Sequence, residues 1–347
     1  IIIDMKFNVS SKELFAQLQA ASRVIAAKNS LQILECVLFD LKGDELTLTA
    51  SDGETTLRTT MPVDGAQGEG KVAVAAKILL ETLKEFSEQP LTFHIDDQNF
   101  GLNITSANGT YSFVGANGNE YPEMPIEEGE NSFEVAADVL YDAINKTIFC
   151  TADDELRPVM NGIYFDLKPE CLCVVSSDGH KLVRNTVFAV KGEPASFVLP
   201  KKPAGLLKNV LKKDDSEVVV KFDNRNAEFT YAEGTLTCRL TEGRYPNYNS
   251  VIPMNNSNVI VVDRRTLLGS LKRILPFASD SSQLVRLHIE NGKLEISSED
   301  IDFSTSAREE MICSYDGIQM NIGFKGTTLT EVLNNLDSEE VIIKLAD

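Results

Sequence analysis

The 347-residue sequence has no stretch of eighteen consecutive apolar residues, which excludes a membrane-spanning helix of ordinary length. It has only three histidines, His94, His180 and His288, and no two of its six cysteines stand as Cys-x-x-Cys. A structural metal site needs more such ligands at closer spacing. Cys36, Cys150, Cys171, Cys173, Cys238 and Cys313 therefore read as free thiols of a reducing cytosol, with Cys171 and Cys173 at strand spacing in a hydrophobic run. The Gly-x-Ser-x-Gly elbow, the Walker A phosphate loop and His-Glu-x-x-His are all missing. Acidic neighbours such as Asp96-Asp97 and Asp153-Asp154 do not replace them, because adjacent residues of a strand point to opposite faces. They read as solvated turn residues, and neither an enzyme nor a cofactor is expected.

Basic charge is in deficit as well. Lys and Arg number 33 against 52 Asp and Glu, a net charge of −19. A nucleic-acid binder normally shows a basic footprint, so that role stays open only if the basic groups gather on one surface. Ile1-Ile2-Ile3-Asp4 precede Met5 with no basic residue, and read as a leader rather than a signal peptide. Apolar residues make up 43%, enough to build cores in a chain long enough for two or three domains.

The sequence repeats itself three times. Lys6–Val9, Ser132–Val135 and Val259–Asp263 each precede a helical stretch: Ser11 to about Ile25, Ala137–Phe149 and Arg264–Leu275. Apolar residues recur at helical spacing in each, as Leu14/Leu18/Ala21, Leu140/Ile144/Ile148 and Leu267/Leu271/Ile274. Two alternating, strand-like runs follow every time. They end in Ser51-Asp52-Gly53, Ser177-Asp178-Gly179 and Ser298-Glu299-Asp300, so the three aspartates fall about 125 residues apart, the size of an ordinary domain. A second helix then recurs at Lys77–Phe86, Lys202–Leu211 and Thr327–Leu336. The first two copies close on Glu120-Tyr121-Pro122 and Arg244-Tyr245-Pro246. Units of this length can each hold a core, and three in a row suggest an arc or ring closed head to tail.

Charge follows the repeat. The expected helical windows 12–28, 77–85, 138–148, 201–213, 263–273 and 325–336 hold 16 basic and 7 acidic residues, a net of +9, which leaves −28 for the rest. Residues 201–213 carry Lys201, Lys202, Lys208, Lys212 and Lys213 with no acid. A basic helical face inside an acidic exterior would hold phosphates without sequence preference and repel DNA elsewhere.

These features, with Met5-Lys-Phe, Asn161-Gly162, Ser177-Asp-Gly-His-Lys-Leu182, Gly243-Arg-Tyr-Pro-Asn-Tyr248 and Ile322-Gly-Phe324, resemble the bacterial DNA sliding clamps, the beta subunits of DNA polymerase III, from Met5 to Asp347. The resemblance implies an α+β fold of three repeated DNA-clamp domains, with helices lining a ring and antiparallel sheets outside. The domains would be 5–127, 128–254 and 255–347, after a leader of residues 1–4. It implies a cytoplasmic, non-catalytic processivity factor. A head-to-tail homodimer would encircle double-stranded DNA. ATP-driven clamp-loader subunits would load it, and it would tether the polymerase alpha subunit and other clamp-binding-motif proteins.

By position, the resemblance makes Lys28, Lys77, Lys84, Lys201 and Lys202 DNA-facing. It makes Arg157, Met160, Ser177, Gly179, His180, Lys181, Leu182, Pro246, Ser250, Val251 and Thr328 a partner-peptide pocket, with Met160 and Leu182 as apolar wall. Tyr111 and Phe113 would meet Phe277 and Ala278 of a second copy. Three departures stand out. Ser250 replaces an Arg of some relatives, Thr328 replaces an aromatic, and the third repeat stops after Glu340–Lys344, leaving that domain incomplete and an edge strand unpaired. A β-rich interaction scaffold that does not encircle DNA is the alternative.

Overall fold

The structure, a computed structural model, describes residues 4–123 and 131–346. The expected boundary at 127/128 lies outside the described residues, as do leader residues 1–3. The chain divides into two compact units that meet between Tyr245 and Pro246.

The first repeat runs β1 (Met5–Ser10), α1 (Ser11–Ser22), β2 (Cys36–Lys42), β3 (Glu45–Ser51), β4 (Thr55–Pro62), β5 (Asp64–Gln67), β6 (Gly70–Ala75), α2 (Ala76–Lys84), β7 (Pro90–Ile95), β8 (Gly101–Thr105), β9 (Thr110–Val114) and β10 (Ala116–Asn117). The second runs β11 (Asn131–Ala136), α3 (Ala137–Asn145), β12 (Gly162–Leu167), β13 (Leu172–Ser177), β14 (Leu182–Val187), β15 (Ala195–Pro200), α4 (Lys201–Val210), β16 (Glu217–Phe222), β17 (Asn226–Tyr231) and β18 (Gly234–Arg239). In the second unit the third repeat gives β19 (Asn258–Asp263), α5 (Arg264–Ile274), β20 (Leu284–Glu290), β21 (Lys293–Asp300), β22 (Thr305–Ile312), β23 (Met320–Lys325), α6 (Gly326–Asn334) and β24 (Glu340–Leu345).

Instead of two strands, five separate the helices of the first repeat and four those of the second and third. The third-strand signals were too polar to read: β14 is Leu-Val-Arg-Asn-Thr-Val and β22 is Thr-Ser-Ala-Arg-Glu-Glu-Met-Ile. Both are sheet edges, which need only half an apolar face. The helices are also shorter than expected. α1 ends at Ser22, and the chain tightens through three-residue turns, Val24 N to Ala21 O and Ile25 N to Ser22 O. α1 and α5 start on side-chain caps, Ser10 Oγ accepting from Glu13 N and Asp263 Oδ1 from Thr266 N. α4 accommodates Pro203 in its first turn, where the missing N–H has no helical partner to lose, and buries Pro203, Ala204, Leu206 and Leu207.

The first two repeats are welded by backbone. One nine-stranded sheet has the order β10-β6-β2-β3-β4-β18-β17-β16-β11, so β4 of the first repeat pairs antiparallel with β18 of the second. Leu57 lies opposite Leu236 and Thr55 opposite Cys238. Instead of two separate cores, one cluster runs from Phe7, Phe39 and Phe93 through Leu57 and Leu236 to Phe165, Phe197 and Phe229. The other sheets of this unit are β5-β1-β7-β8-β9 and β14-β13-β12-β15. The second unit has its own core around Leu267, Leu271, Val285, Leu287 and Ile296, and sheets β22-β21-β20-β23 and β19-β24.

Candidate functional site

The thrice-repeated aspartate turn is a fold element. At Asp178 the carboxylate Oδ1 accepts from His180 N and Lys181 N, both at 2.9 Å. Ser177 Oγ donates to Lys181 O at 2.8 Å and accepts from Gly179 N at 3.1 Å. Gly179 adopts φ +91°, a conformation that favours glycine. Asp52 repeats this with Glu54 N and Thr55 N at 2.9 and 2.7 Å, and Asp300 with Asp302 N and Phe303 N at 2.9 and 3.2 Å. Burial pushes the Asp178 carboxyl up, but the two turn amides with Lys181 and His180 outweigh it and hold it below the ordinary range. The Ser177 hydroxyl, which the resemblance puts in the peptide pocket, is engaged in closing its own turn.

Around the second turn, the closing tail supplies a floor. Tyr245 is buried and stacks on Tyr164 with ring centroids 4.6 Å apart and 2° between planes. Burial pushes its phenol up to about 12. Asn161 ties down the preceding loop, its Oδ1 accepting from Asp154 N at 2.8 Å and its Nδ2 donating to Asp154 O at 3.1 Å. Asp154 in turn holds Arg157 through Nε at 2.8 Å. A Cβ placed on Gly179 would stand 3.5 Å from Arg157 Nη1, so the guanidinium lies over the glycine. Met160 is buried, while His180 is exposed. Lys181 Nζ sits 3.7 Å from Asp178 and 5.5 Å from the centre of the Phe149 ring, and Leu182 begins β14 half-buried. The structure therefore gathers Arg157, Gly179 and the Ser177 turn. Beside Arg157 stands Leu156, 92% exposed, which sequence reading missed because a single leucine in a loop carries no pattern.

The second unit holds the other predicted pocket residues. Pro246 precedes a 3-10 turn, Tyr248–Val251, anchored by the buried Tyr248. Ser250 Oγ donates to Asn247 O at 2.7 Å, while Val251 is exposed. Thr328 lies half-buried in the first turn of α6.

The basic groups are distributed differently from expectation. The six helices hold ten basic and five acidic residues, and α3 and α6 hold no Lys or Arg. Arg23, Lys28, Lys146, Lys212, Lys213 and Lys325 fall beyond helix ends, so Lys28 is a loop residue and the contrast shrinks. Lys77 and Lys84 stand exposed seven residues apart on one side of α2. Arg265 and Lys272 do the same on α5 and were not singled out from sequence. Lys201 Nζ meets the exposed Asp153 at 3.2 Å. Lys202 is bound within the fold, bonding the Asp52 carboxylate and donating to Val24 O at 3.0 Å. Burial raises the Asp52 carboxyl, yet the Lys202 bond and the turn amides overcome it and hold it low.

Lys201→Glu and Lys202→Glu should therefore differ. Lys201→Glu is expected to leave stability within about 0.5 kcal/mol, as for other exposed sites. Lys202→Glu sets a second carboxylate against Asp52 and should cost about 2 kcal/mol, after allowance for its partial exposure. Equal denaturation midpoints for the two variants would refute the distinction.

Three family models match in succession: the DNA polymerase III beta subunit N-terminal domain over residues 5–125, its central domain over 134–247 and its C-terminal domain over 249–347. The beta sliding clamp of Pseudomonas aeruginosa is 26% identical over 346 residues, covering 99% of this chain and 94% of its own. That of Synechococcus elongatus is 25% identical over 351 residues, covering 98% and 92%. Among solved structures, a DnaN sliding clamp of Pseudomonas aeruginosa bound to griselimycin matches with a TM-score of 0.94 at 26% identity, over 99% of this chain and 93% of that one. The beta subunit of Thermotoga maritima matches at 0.86 and 27% identity, again over 99% and 93%.

Proposed function

Because the chain belongs to the DNA polymerase III beta-subunit family, we infer that it is a sliding clamp: a non-catalytic cytoplasmic ring of two copies that encircles duplex DNA and tethers the replicative polymerase.

The β4–β18 seam is the observation that supports closure. Its strand types recur with their edges open, since among the described residues β9 and β22 each pair on one side only. Gly109-Thr-Tyr-Ser-Phe113 stands in the first repeat where Gly234-Thr-Leu-Thr-Cys238 stands in the second. β22 follows the Asp300 turn as β4 follows the Asp52 turn. The seam register, carried over to two copies, sets Tyr111 opposite Ala307, Ser112 opposite Ser306 and Phe113 opposite Thr305. Leu236 is fully buried in the seam, whereas Tyr111 is 38% exposed on its open edge, as is Phe277 in the turn beside β22. A head-to-tail contact of this kind closes a ring when the rotation fits.

Lys28, Lys77, Lys84, Lys201, Arg265 and Lys272 are exposed cations that would meet phosphates, and contacts of that kind carry no sequence information and so permit sliding. In the first unit, Arg157, Met160, Gly179, His180, Lys181 and Leu182 would receive a linear peptide of the polymerase, of a loader subunit or of another replication protein; Pro246, Ser250, Val251 and Thr328 are the second unit's own candidates for a peptide contact. Leu156 adds an apolar contact to the first unit's set.

Topology tests the reading. Loaded on closed circular DNA, the protein should be retained through gel filtration at high salt and lost once the circle is cut. Equal retention on circular and linear DNA would leave only an interaction scaffold.

A further inference from the structure

We propose that Cys171 and Cys173 form a two-thiol modification site that closes reversibly to an intramolecular disulfide by exchange with a small disulfide. Neither Cys171 nor Cys173 is tied up in a disulfide. The Sγ atoms of this pair touch at 3.8 Å. They touch because of strand geometry. Leu172 and Val174 of β13 belong to the main core, so Cys173, and Cys171 just before the strand, turn together to the opposite face, where each is buried with 5% of its surface exposed. Cys173 lies opposite Asp166 and Thr186 in the sheet, and Asp166 carries Lys168 at 3.2 Å on the same face. Cys171 sits at the end of the β12–β13 hairpin, where its carbonyl accepts from Lys168 N at 2.9 Å.

Residues two apart on a strand place their Cα atoms about 6.7 Å apart, at the long end of the range a disulfide spans. Closure is therefore possible with a small local shift, and the product is strained. Strained disulfides have high reduction potentials and are the labile kind. In the first step the Cys171 thiolate attacks one sulfur of a disulfide RSSR, forming Cys171–S–S–R and releasing RS⁻, which takes up the proton lost by Cys171. In the second, the Cys173 thiolate displaces the remaining RS⁻, which takes the second proton. Two protein thiols and one RSSR give one protein disulfide and two RSH. Burial, then the neighbouring Cys173 thiol, push the Cys171 thiol up, so the first step should accelerate as pH rises above neutrality.

The test treats the folded full chain with oxidised glutathione at mildly alkaline pH, blocks remaining thiols with N-ethylmaleimide after unfolding, and reads intact and peptide masses. The expected result is a loss of two hydrogens without added glutathione, mapped to the peptide holding Cys171 and Cys173 and reversed by excess reduced glutathione. Cys173→Ser should instead accumulate a glutathione adduct on Cys171, and Cys171→Ser should lose the two-hydrogen loss as well. The proposal is overturned if the wild-type chain keeps both thiols free for blocking, or if wild type and Cys173→Ser carry equal adduct. The wild-type peptide map stands even if either variant folds poorly.

Discussion

A Gly234→Ala variant is expected to be destabilised by about 3 kcal/mol, at the top of what over-packing costs, with loss of amide protection first along β4 and β18. A Cβ on Gly234 would lie 2.1 Å from the Arg58 carbonyl oxygen and 3.2 Å from Thr59 Cα. Both are main-chain atoms, so no side-chain rotation relieves the overlap and the two strands must part. The neighbouring bond from Thr59 Oγ1 to Glu233 O, 3.0 Å, spans the same seam. Gly43→Ala is the control. Gly43 has φ +56° but nothing within 4 Å of a Cβ, so only the left-handed backbone is taxed, by about 1 kcal/mol. Hydrogen exchange should show the seam opening early in Gly234→Ala alone. Unchanged protection at Leu57 and Leu236 would mean that the two repeats are not held together there.

The second large effect is covalent closure. Ser112→Cys combined with Ser306→Cys should cross-link two copies of the chain through a short thiol-reactive bridge, because the seam pairs the equivalent Thr237 with Thr56. Two bridges form per closed ring. The product should be a dimer on denaturing gels, and cross-linking after loading should make retention on circular DNA resistant to denaturant. Neither single variant should do this. Phe277→Asp, at an exposed position, should shift the native mass to a monomer without lowering the denaturation midpoint by more than about 0.5 kcal/mol. Cross-links appearing only within one chain would defeat the proposed register.

What the sequence determined on its own is local or repeated. Apolar spacing in α1, α3 and α5 identified helices because a helix buries one face whatever lies beyond it, and Leu14, Leu140 and Leu267 are buried as that spacing requires. The Asp52, Asp178 and Asp300 turns were legible because an aspartate closes its own loop through amides two and three residues ahead. Repetition identified the architecture, and with the matched motifs it was enough to place the chain in its family.

Only tertiary structure decided the rest. The edge strands β14 and β22 were hidden because edge residues face water on one side and lose the alternation that reveals a strand. Nothing near Thr55 or Gly234 in sequence announces that β4 and β18 pair, since that contact joins residues about 180 positions apart and is set by the fold of both repeats. The same holds for Lys202. The sequence shows a cation in a basic helix, but the chain spends that cation on Asp52 and Val24, 150 and 178 residues away. Charge can be counted from sequence, whereas which charges remain exposed to a partner depends on what the fold brings beside them.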